Sequence, residues 1–208
     1  MIQQMEAKRA LWGEHIHQLR EKSKGYAGTR DLVAFYGSSS IRMWENMAND
    51  LHPLRIVNLG FGGSSYFWCD HFFEEIFEFT KPSKMVLYAG DNDLGSGVPE
   101  ADILKSVDRL MRKIDKKFGS IPLAIISVKP SPSRSYLQEK IESLNRSLSA
   151  RIAHRQRGSF INIYTEMLHP NGALRPELYL EDQLHINHKG YEIWRNVIRR
   201  HIVDFMDG

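Results

Sequence analysis

Three residues that lie far apart in the chain have the types that nucleophilic catalysis requires. Ser39 is the middle one of three serines in the stretch 31–44, DLVAFYGSSSIRMW, whereas Asp182 and His185 lie near the carboxyl end. A serine hydroxyl becomes a nucleophile when a base removes its proton, and the imidazole of His185 suits that task. Asp182, three residues earlier, could hold the imidazole in one tautomer and stabilise its cationic form. Together these residue types predict acyl transfer through the serine.

Acyl transfer also needs hydrogen-bond donors for the negative charge that develops on the attacked carbonyl oxygen. The candidate donors are the backbone amides of Ser39 and Gly63 and the side-chain amide of Asn92. Glycine suits position 63 because it has no side chain to keep a substrate away from the backbone. Each of these residues also has a structural interpretation. Ser39 or Ser40 could cap the following helix, Gly63 could allow a tight connection, and Asn92 could stabilise a turn. The Asp182–His185 pair could likewise only brace a loop.

Other patterns in the chain point to different chemistry but are less complete. His188 lies one helical turn after His185, so Asp182, His185 and His188 form a conceivable metal site. The glycine run 60–63 does not complete a dinucleotide-binding fingerprint, since Ser65 stands in place of the third glycine. The stretch 37–41 lacks the last glycine of the G-x-S-x-G elbow of α/β-hydrolases.

Five short apolar runs alternate with helical patterns and so predict a parallel sheet that is covered on both faces. We expect one three-layer α/β/α domain over residues 1–208, in which residues 1–28 form an N-terminal helical extension packed on the rest. Ligands bind beyond the carboxyl ends of the strands in such sheets, and the candidate residues all follow predicted strands. The five runs are 32–36, 55–59, 84–89, 123–128 and 160–164.

The composition is that of an ordinary globular protein and points away from several classes of partner. Of the 208 residues, 42% are apolar and 25% are charged, and the formal net charge of +3 is too small to predict nucleic-acid binding. No apolar run is long enough for membrane insertion, and residues 1–12 lack the apolar core of a secretory signal, so we expect a cytoplasmic location or an already processed chain. Cys69, the single cysteine, excludes an internal disulfide and is expected to be a buried structural thiol.

Four sequence blocks resemble those of the SGNH hydrolases, also called GDSL-type esterases and lipases. The blocks are FYGSSSI at 35–41, NLGFGGS at 58–64, YAGDND at 88–93 and DQLHIN at 182–187. The resemblance covers nearly the whole chain and implies a flavodoxin-like, five-stranded parallel sheet with the strand order 2-1-3-4-5. It also implies that Ser39 is the nucleophile and that Gly63 and Asn92 are oxyanion donors. Asp182 and His185 would complete the triad.

The chain departs from the family pattern on either side of the implied nucleophile. Ser38 stands where the family has aspartate, and Ser40 stands where it has leucine. The family's serine lies two residues after the glycine of this block, which corresponds to Ser39 counted from Gly37. The departure removes no member of the triad.

The resemblance implies a serine esterase that needs no metal or cofactor and acts on a small-molecule ester. Because no lid-like apolar insertion is visible, we expect short acyl groups, such as an acetyl group on a sugar. The alternatives are an acyltransferase with the same triad and a non-catalytic flavodoxin-like module that binds phosphate or a nucleotide. The pocket could be lined by Trp44, Tyr66, Phe67, Trp68 and Arg134. The four aromatic residues are also candidates for the core.

Overall fold

A five-stranded parallel sheet with the order β2-β1-β3-β4-β5 forms the centre of the molecule. The computed structural model describes the backbone of residues 2–206 and the side chains of residues 12–201. The predicted α/β fold and its strand order are confirmed. The strands are β1 (Leu32–Gly37), β2 (Arg55–Gly60), β3 (Lys84–Tyr88), β4 (Leu123–Ile126) and β5 (Gly158–Ile161).

Helices connect the strands and cover both faces of the sheet. The α-helices are α1 (Ile2–Lys24), α2 (Ser39–Arg42), α3 (Met47–Asp50), α4 (Tyr66–Ile76), α5 (Asp91–Gly95), α6 (Glu100–Phe118), α7 (Gln138–Ala153) and α8 (His188–Met206). Among residues 2–206, short 3₁₀ turns lie at Pro132–Leu137, Thr165–Met167 and Pro176–Leu178. Within the described residues, no helix combines the length and apolar character that crossing a bilayer requires.

Successive side chains of each strand point to opposite faces, so the sheet builds two apolar cores. On β1, Leu32, Ala34 and Tyr36 face the core formed with α1, α4, α6 and α7. Val33 and Phe35 face the second core, which contains α2, α3 and α8. All five side chains are buried, and full burial of one large apolar side chain contributes about 1.5–3 kcal/mol. This rigid sheet fixes the positions at which the loops at its carboxyl edge begin.

Strand β3 ends one residue before its apolar run 84–89 does. Strands β4 and β5 end two or three residues early, because side chains take over the backbone hydrogen bonds. Residues 123–128 were expected to be one strand, but both backbone groups of Val128 bond to the side-chain amide of Asn145, at 2.7 and 2.9 Å. Residues 160–164 were also expected as a strand, whereas β5 covers Gly158–Ile161. The amides of Ile163 and Tyr164 instead donate to the Ser127 hydroxyl, both at 3.0 Å.

The long N-terminal helix α1 lies against α4. Ile16 and Leu19 of α1 are buried in the first core. Trp12 packs edge-on against the ring of Trp68, at a centroid distance of 5.0 Å, and the Ser23 hydroxyl donates to Thr80 Oγ1 at 2.6 Å. These contacts place Trp12 beside the loop between β2 and α4, which carries Gly63.

Candidate active site

The turn between β1 and α2 exposes one of the three consecutive serines. Gly37 ends the strand with φ +149°, and a Cβ at this position would lie only 1.9 Å from the Tyr88 carbonyl oxygen. Ser38 and Ser40 are buried, whereas Ser39 is partly exposed. Ser38, rather than Ser39 or Ser40, occupies the N-cap position of α2, and its side chain makes no capping hydrogen bond within the described structure. Of the three hydroxyls, that of Ser39 is therefore the one that faces solvent.

The loop before α8 brings an imidazole and a carboxylate to the same hydroxyl. Nε2 of His185 lies 3.1 Å from Ser39 Oγ, and Nδ1 lies 2.5 Å from Asp182 Oδ2. When the proton on Nδ1 is donated to the carboxylate, Nε2 is left as an acceptor for the Ser39 hydroxyl. The structure thus brings together the three residues whose types predict nucleophilic catalysis.

The Asp182 carboxylate is held ionised by its local donors. Partial burial would raise its pKa, but the hydrogen bonds from His185 and from the Leu184 and His185 amides lower the pKa to about 2. Both amides donate to Oδ1 at 2.9 Å, which forms a tight turn with Gln183 in the left-handed region at φ +54°. The other oxygen is therefore free to accept from the imidazole, and the negative charge is present at neutral pH.

The two predicted oxyanion donors from the β2 and β3 loops lie on one cleft. Gly63, with φ +72°, and Asn92, in the first turn of α5, both line an open cleft of about 320 Å³. The Asn92 Nδ2 donates to the Ser64 carbonyl oxygen at 3.0 Å, so one of its two amide hydrogens remains for another acceptor. Asn92 is therefore fixed beside the Gly63 loop with a donor to spare.

The cleft extends from these donors between α4 and α6. Phe67 and Trp68 line it, and the Phe67 ring is 36% exposed. The other residues named as pocket candidates lie elsewhere: Trp44 and Tyr66 are buried in the two cores, and the Arg134 guanidinium bonds to residues of α5. The two cations along the cleft are paired, Lys105 Nζ with Asp102 at 2.7 Å and Arg109 Nε with Asp70 at 2.8 Å.

A buried ion cluster that the sequence patterns did not indicate lies beneath Asn92. Lys129 Nζ is 2.8 Å from Asp91 Oδ2 and donates to Ser131 Oγ at 2.8 Å, and the lysine is only 1% exposed. Arg134 binds the other Asp91 oxygen and also donates to the Asp91 carbonyl at 2.6 Å. Burial would raise the pKa of Asp91, but the two cations and their hydrogen bonds keep it below its ordinary value. One signal in the sequence is a lysine directly after the apolar run 123–128.

A second buried carboxylate, Asp93, joins α5 to the start of α4. Its two oxygens lie 3.1 and 3.2 Å from the Tyr66 amide nitrogen, and the side chain lines the cleft beside Asn92. Burial raises the pKa of Asp93 to about 6, although backbone donors, that of Tyr66 first, partly oppose the rise. Cys69 is buried as expected, and burial raises the pKa of its thiol.

The metal interpretation finds no support in the side-chain arrangement. Among the described residues, no three His, Cys, Asp or Glu side chains are grouped as a metal ion would require, and this includes Asp182, His185 and His188. The bond from His185 to Ser39 instead occupies the ring nitrogen that would face a ligand.

Comparisons with known proteins agree with this architecture. The model of the GDSL-like Lipase/Acylhydrolase family matches residues 24–193, whereas no curated protein matches the chain by sequence. A GDSL-like lipase from Bacteroides thetaiotaomicron superposes with a TM-score of 0.70 at 23% identity, covering 95% of this chain and 98% of its own.

Two further solved structures share the fold. An acetylxylan esterase from Geobacillus stearothermophilus, in a catalytic mutant form, has a TM-score of 0.70 at 15% identity over 84% of this chain and 95% of its own. A Streptococcus pneumonia protein whose name refers to platelet activating factor has a TM-score of 0.78 at 17% identity over 97% and 99%. Because the family model spans most of the chain, this protein belongs to the GDSL-like lipase/acylhydrolase family and is a carboxylic ester hydrolase.

Proposed function

We propose that this chain is a serine esterase that hydrolyses short-chain acyl esters through a Ser39–His185–Asp182 triad. The observation that carries the proposal is the continuous path from Ser39 Oγ to His185 Nε2, at 3.1 Å, and from Nδ1 to Asp182, at 2.5 Å. Both distances lie within the reach that proton transfer and orientation of the base require. A binding module without catalysis would have no need for this alignment.

Each residue of the proposed triad has one task in each half of the reaction. His185 takes the proton of the Ser39 hydroxyl as its oxygen attacks the ester carbonyl, and Asp182 stabilises the imidazolium that forms. The carbonyl oxygen becomes an oxyanion, which accepts from the amides of Ser39 and Gly63 and from the Asn92 side chain. His185 then protonates the leaving alcohol, and an acyl group remains on Ser39. Water attacks this acyl-enzyme by the same steps and releases the acid.

The cleft beside the oxyanion donors supports a polar, uncharged alcohol as the other part of the substrate. It offers the exposed Phe67 ring as a flat apolar surface, and its two cations, Lys105 and Arg109, are already paired with carboxylates, so neither is left to bind an anionic substrate. A structural neighbour with the same fold is named an acetylxylan esterase. We therefore propose acetyl esters of carbohydrates as the substrate class.

Hydrolysis of p-nitrophenyl acetate by Ser39→Ala tests the proposed nucleophile. We expect kcat to fall by about 10⁴-fold or more, as in other enzymes that lose a triad nucleophile. Ser38→Ala is the matched control, since Ser38 is adjacent but buried, and it should keep activity within about tenfold. Full activity of Ser39→Ala in folded protein would reject the proposed mechanism.

A further inference from the structure

The Asn92 amide can donate to a substrate in only one of its two orientations. Its Oδ1 accepts and its Nδ2 donates, and a rotation of the amide group by half a turn exchanges them. In the wrong orientation, a carbonyl oxygen would face towards an oxyanion and repel it. The residue that fixes the amide therefore decides whether the oxyanion site works.

Arg134 and the Ser64 carbonyl contact opposite ends of the Asn92 amide, and both contacts favour the same orientation. Arg134 Nη2 lies 3.3 Å from Asn92 Oδ1, and a guanidinium has donors but no acceptors, so it can bond only to the amide oxygen. With the oxygen held there, Nδ2 donates to the Ser64 carbonyl at 3.0 Å, and Asn92 lines the cleft.

Arg134 is itself held by groups that leave it little freedom. Its Nη1 donates to the carbonyl and the carboxylate of Asp91, which is also bound by the buried Lys129. The guanidinium lies over Gly95, where an added Cβ would come within 2.8 Å of Arg134 Cζ. The Asp91 carboxylate is paired with both cations, so it leaves no uncompensated negative charge behind Asn92.

The segment that carries Arg134 also touches the other half of the candidate site. The Ser133 amide donates to the Gln183 carbonyl at 3.1 Å, within the turn that presents Asp182 and His185. The residues after β4 therefore connect the oxyanion donor on α5 to the acid–base loop.

We propose that Arg134, anchored on Asp91 and Lys129, is a positioning residue that orients the Asn92 amide towards the oxyanion. The proposal rests on the proposed function, because it concerns the donor of that same site. Arg134 acts through Asn92 and does not itself contact the reacting atoms.

A double-mutant cycle on kcat/KM for p-nitrophenyl acetate tests the proposal. Arg134→Gln should lower kcat/KM by about tenfold to a hundredfold, less than the loss of a whole oxyanion donor. In an Asn92→Ala background, the same substitution should change kcat/KM by less than about threefold, because the group it orients is gone. Arg155→Gln is the control. Arg155 lies just before the start of β5, at the amino edge of the sheet, and pairs with Asp115 of α6 far from the candidate site. Additive losses in the cycle would overturn the proposal.

Two further variants separate orientation from charge and from misfolding. Arg134→Lys keeps the positive charge but cannot bond to Asp91 and Asn92 with one planar fork, so it should lose nearly as much activity as Arg134→Gln. Wild-type activity of Arg134→Lys would show that charge alone matters and would reject positioning. Gly95→Ala should displace the guanidinium and lower kcat/KM about tenfold in folded protein, whereas Gly13→Ala, with nothing within 4 Å of its Cβ, should not.

The same assay distinguishes failure of this proposal from failure of the proposed function. If Ser39→Ala is inactive while Arg134→Gln matches the wild type, only the positioning role is wrong. If Ser39→Ala remains active, the triad itself is wrong, and the Arg134 cycle then carries no support for an oxyanion role.

Discussion

Nε2 of His185 lies 3.1 Å from Ser39 Oγ, although 146 positions separate the two residues in the chain. The sheet creates this contact, because β1 and the loops after β5 all deliver their residues to one edge. A second bond reinforces it: the Tyr191 hydroxyl of α8 donates to the Ser40 carbonyl at 3.0 Å. The start of α8, directly after the loop that carries the imidazole, is thus also bonded to the turn that carries the hydroxyl.

Asp182→Asn should remove most activity without unfolding the protein. An amide at this position can still accept the backbone bonds of the turn, but it cannot stabilise the imidazolium and favours the wrong tautomer. We expect kcat for p-nitrophenyl acetate to fall by about 10⁴-fold, as for the equivalent change in a well-studied serine protease. Glu181→Gln, at the exposed neighbouring position, is the control. Activity within about threefold of the wild type would reassign Asp182 to loop structure.

Asn92→Ala should lower kcat while the protein stays folded. The substitution removes the spare amide donor of the cleft together with the bond to the Ser64 carbonyl. Loss of one oxyanion donor typically costs about 10²–10³ in kcat. Steady-state kinetics with p-nitrophenyl acetate, alongside thermal unfolding, provide the measurement. An unchanged kcat would mean that Asn92 only braces the Gly63 loop.

Asp93 should make the protein less stable as the pH rises from about 4 to about 6. Its ordinary pKa of 3.8 is raised to about 6 in the fold, so the folded state binds more protons than the unfolded state over this range. The contribution of protonated Asp93 to the stability of the fold is complete below the pKa of the unfolded state and is lost as the pH rises through the pKa of the folded state. The difference between the folded and the unfolded pKa of Asp93 corresponds to about 3 kcal/mol in the free energy of unfolding.

Urea unfolding of the wild type and of Asp93→Asn, from about pH 4 to about pH 8, measures this contribution. The wild-type free energy of unfolding should fall relative to that of the variant between about pH 4 and pH 6, and the difference should then be constant. Asp182 does not interfere, because its pKa of about 2 places its opposite effect at lower pH. Parallel curves for the two proteins would show that Asp93 is not buried as described.

Phe67→Ala should weaken action on acetylated sugars more than action on p-nitrophenyl acetate. Under the proposed function, the exposed Phe67 ring contacts the sugar units beyond the acetylated one, and p-nitrophenyl acetate has no such units. We expect kcat/KM for an acetylated xylo-oligosaccharide to fall about tenfold, as loss of one buried apolar contact predicts. Phe79→Ala, with a similarly exposed ring at 39% against 36%, is the control. Equal losses on both substrates would place the sugar elsewhere.

The strands and the candidate triad were predictable because short stretches of the sequence carry patterns that are typical of them. A buried parallel strand is a short apolar run, and β1 ends at a glycine followed by serines, as the strand-to-turn pattern requires. The pair Asp182 and His185 stands out because three residues separate two side chains of complementary chemistry. The resemblance to the family's serine block, counted from Gly37, implied that Ser39 is the serine beside the imidazole, and the structure places Ser39 there.

Features that depend on side chains distant in sequence could not be predicted. Asp91 and Lys129 are 38 positions apart, and a charged residue is normally expected at the surface. The position of Lys129 directly after an apolar run is a local signal, but it does not identify Asp91 as the partner. The early ends of β4 and β5 depend on Asn145 and Ser127, whose bonds to the backbone compete with the sheet. Arg134 was named as a pocket residue for its position after a strand, but its guanidinium faces α5 instead.

Covalent labelling tests the central claim, that Ser39 is an activated nucleophile, most directly. The protein is incubated with a p-nitrophenyl alkylphosphonate ester, which traps activated serines, and the modified peptide is identified by mass spectrometry. We predict one phosphonate per chain on Ser39, and its absence in His185→Ala, in which the base is missing. An adduct on Ser38, Ser40 or another residue, or no adduct on protein that hydrolyses p-nitrophenyl acetate, would contradict the account.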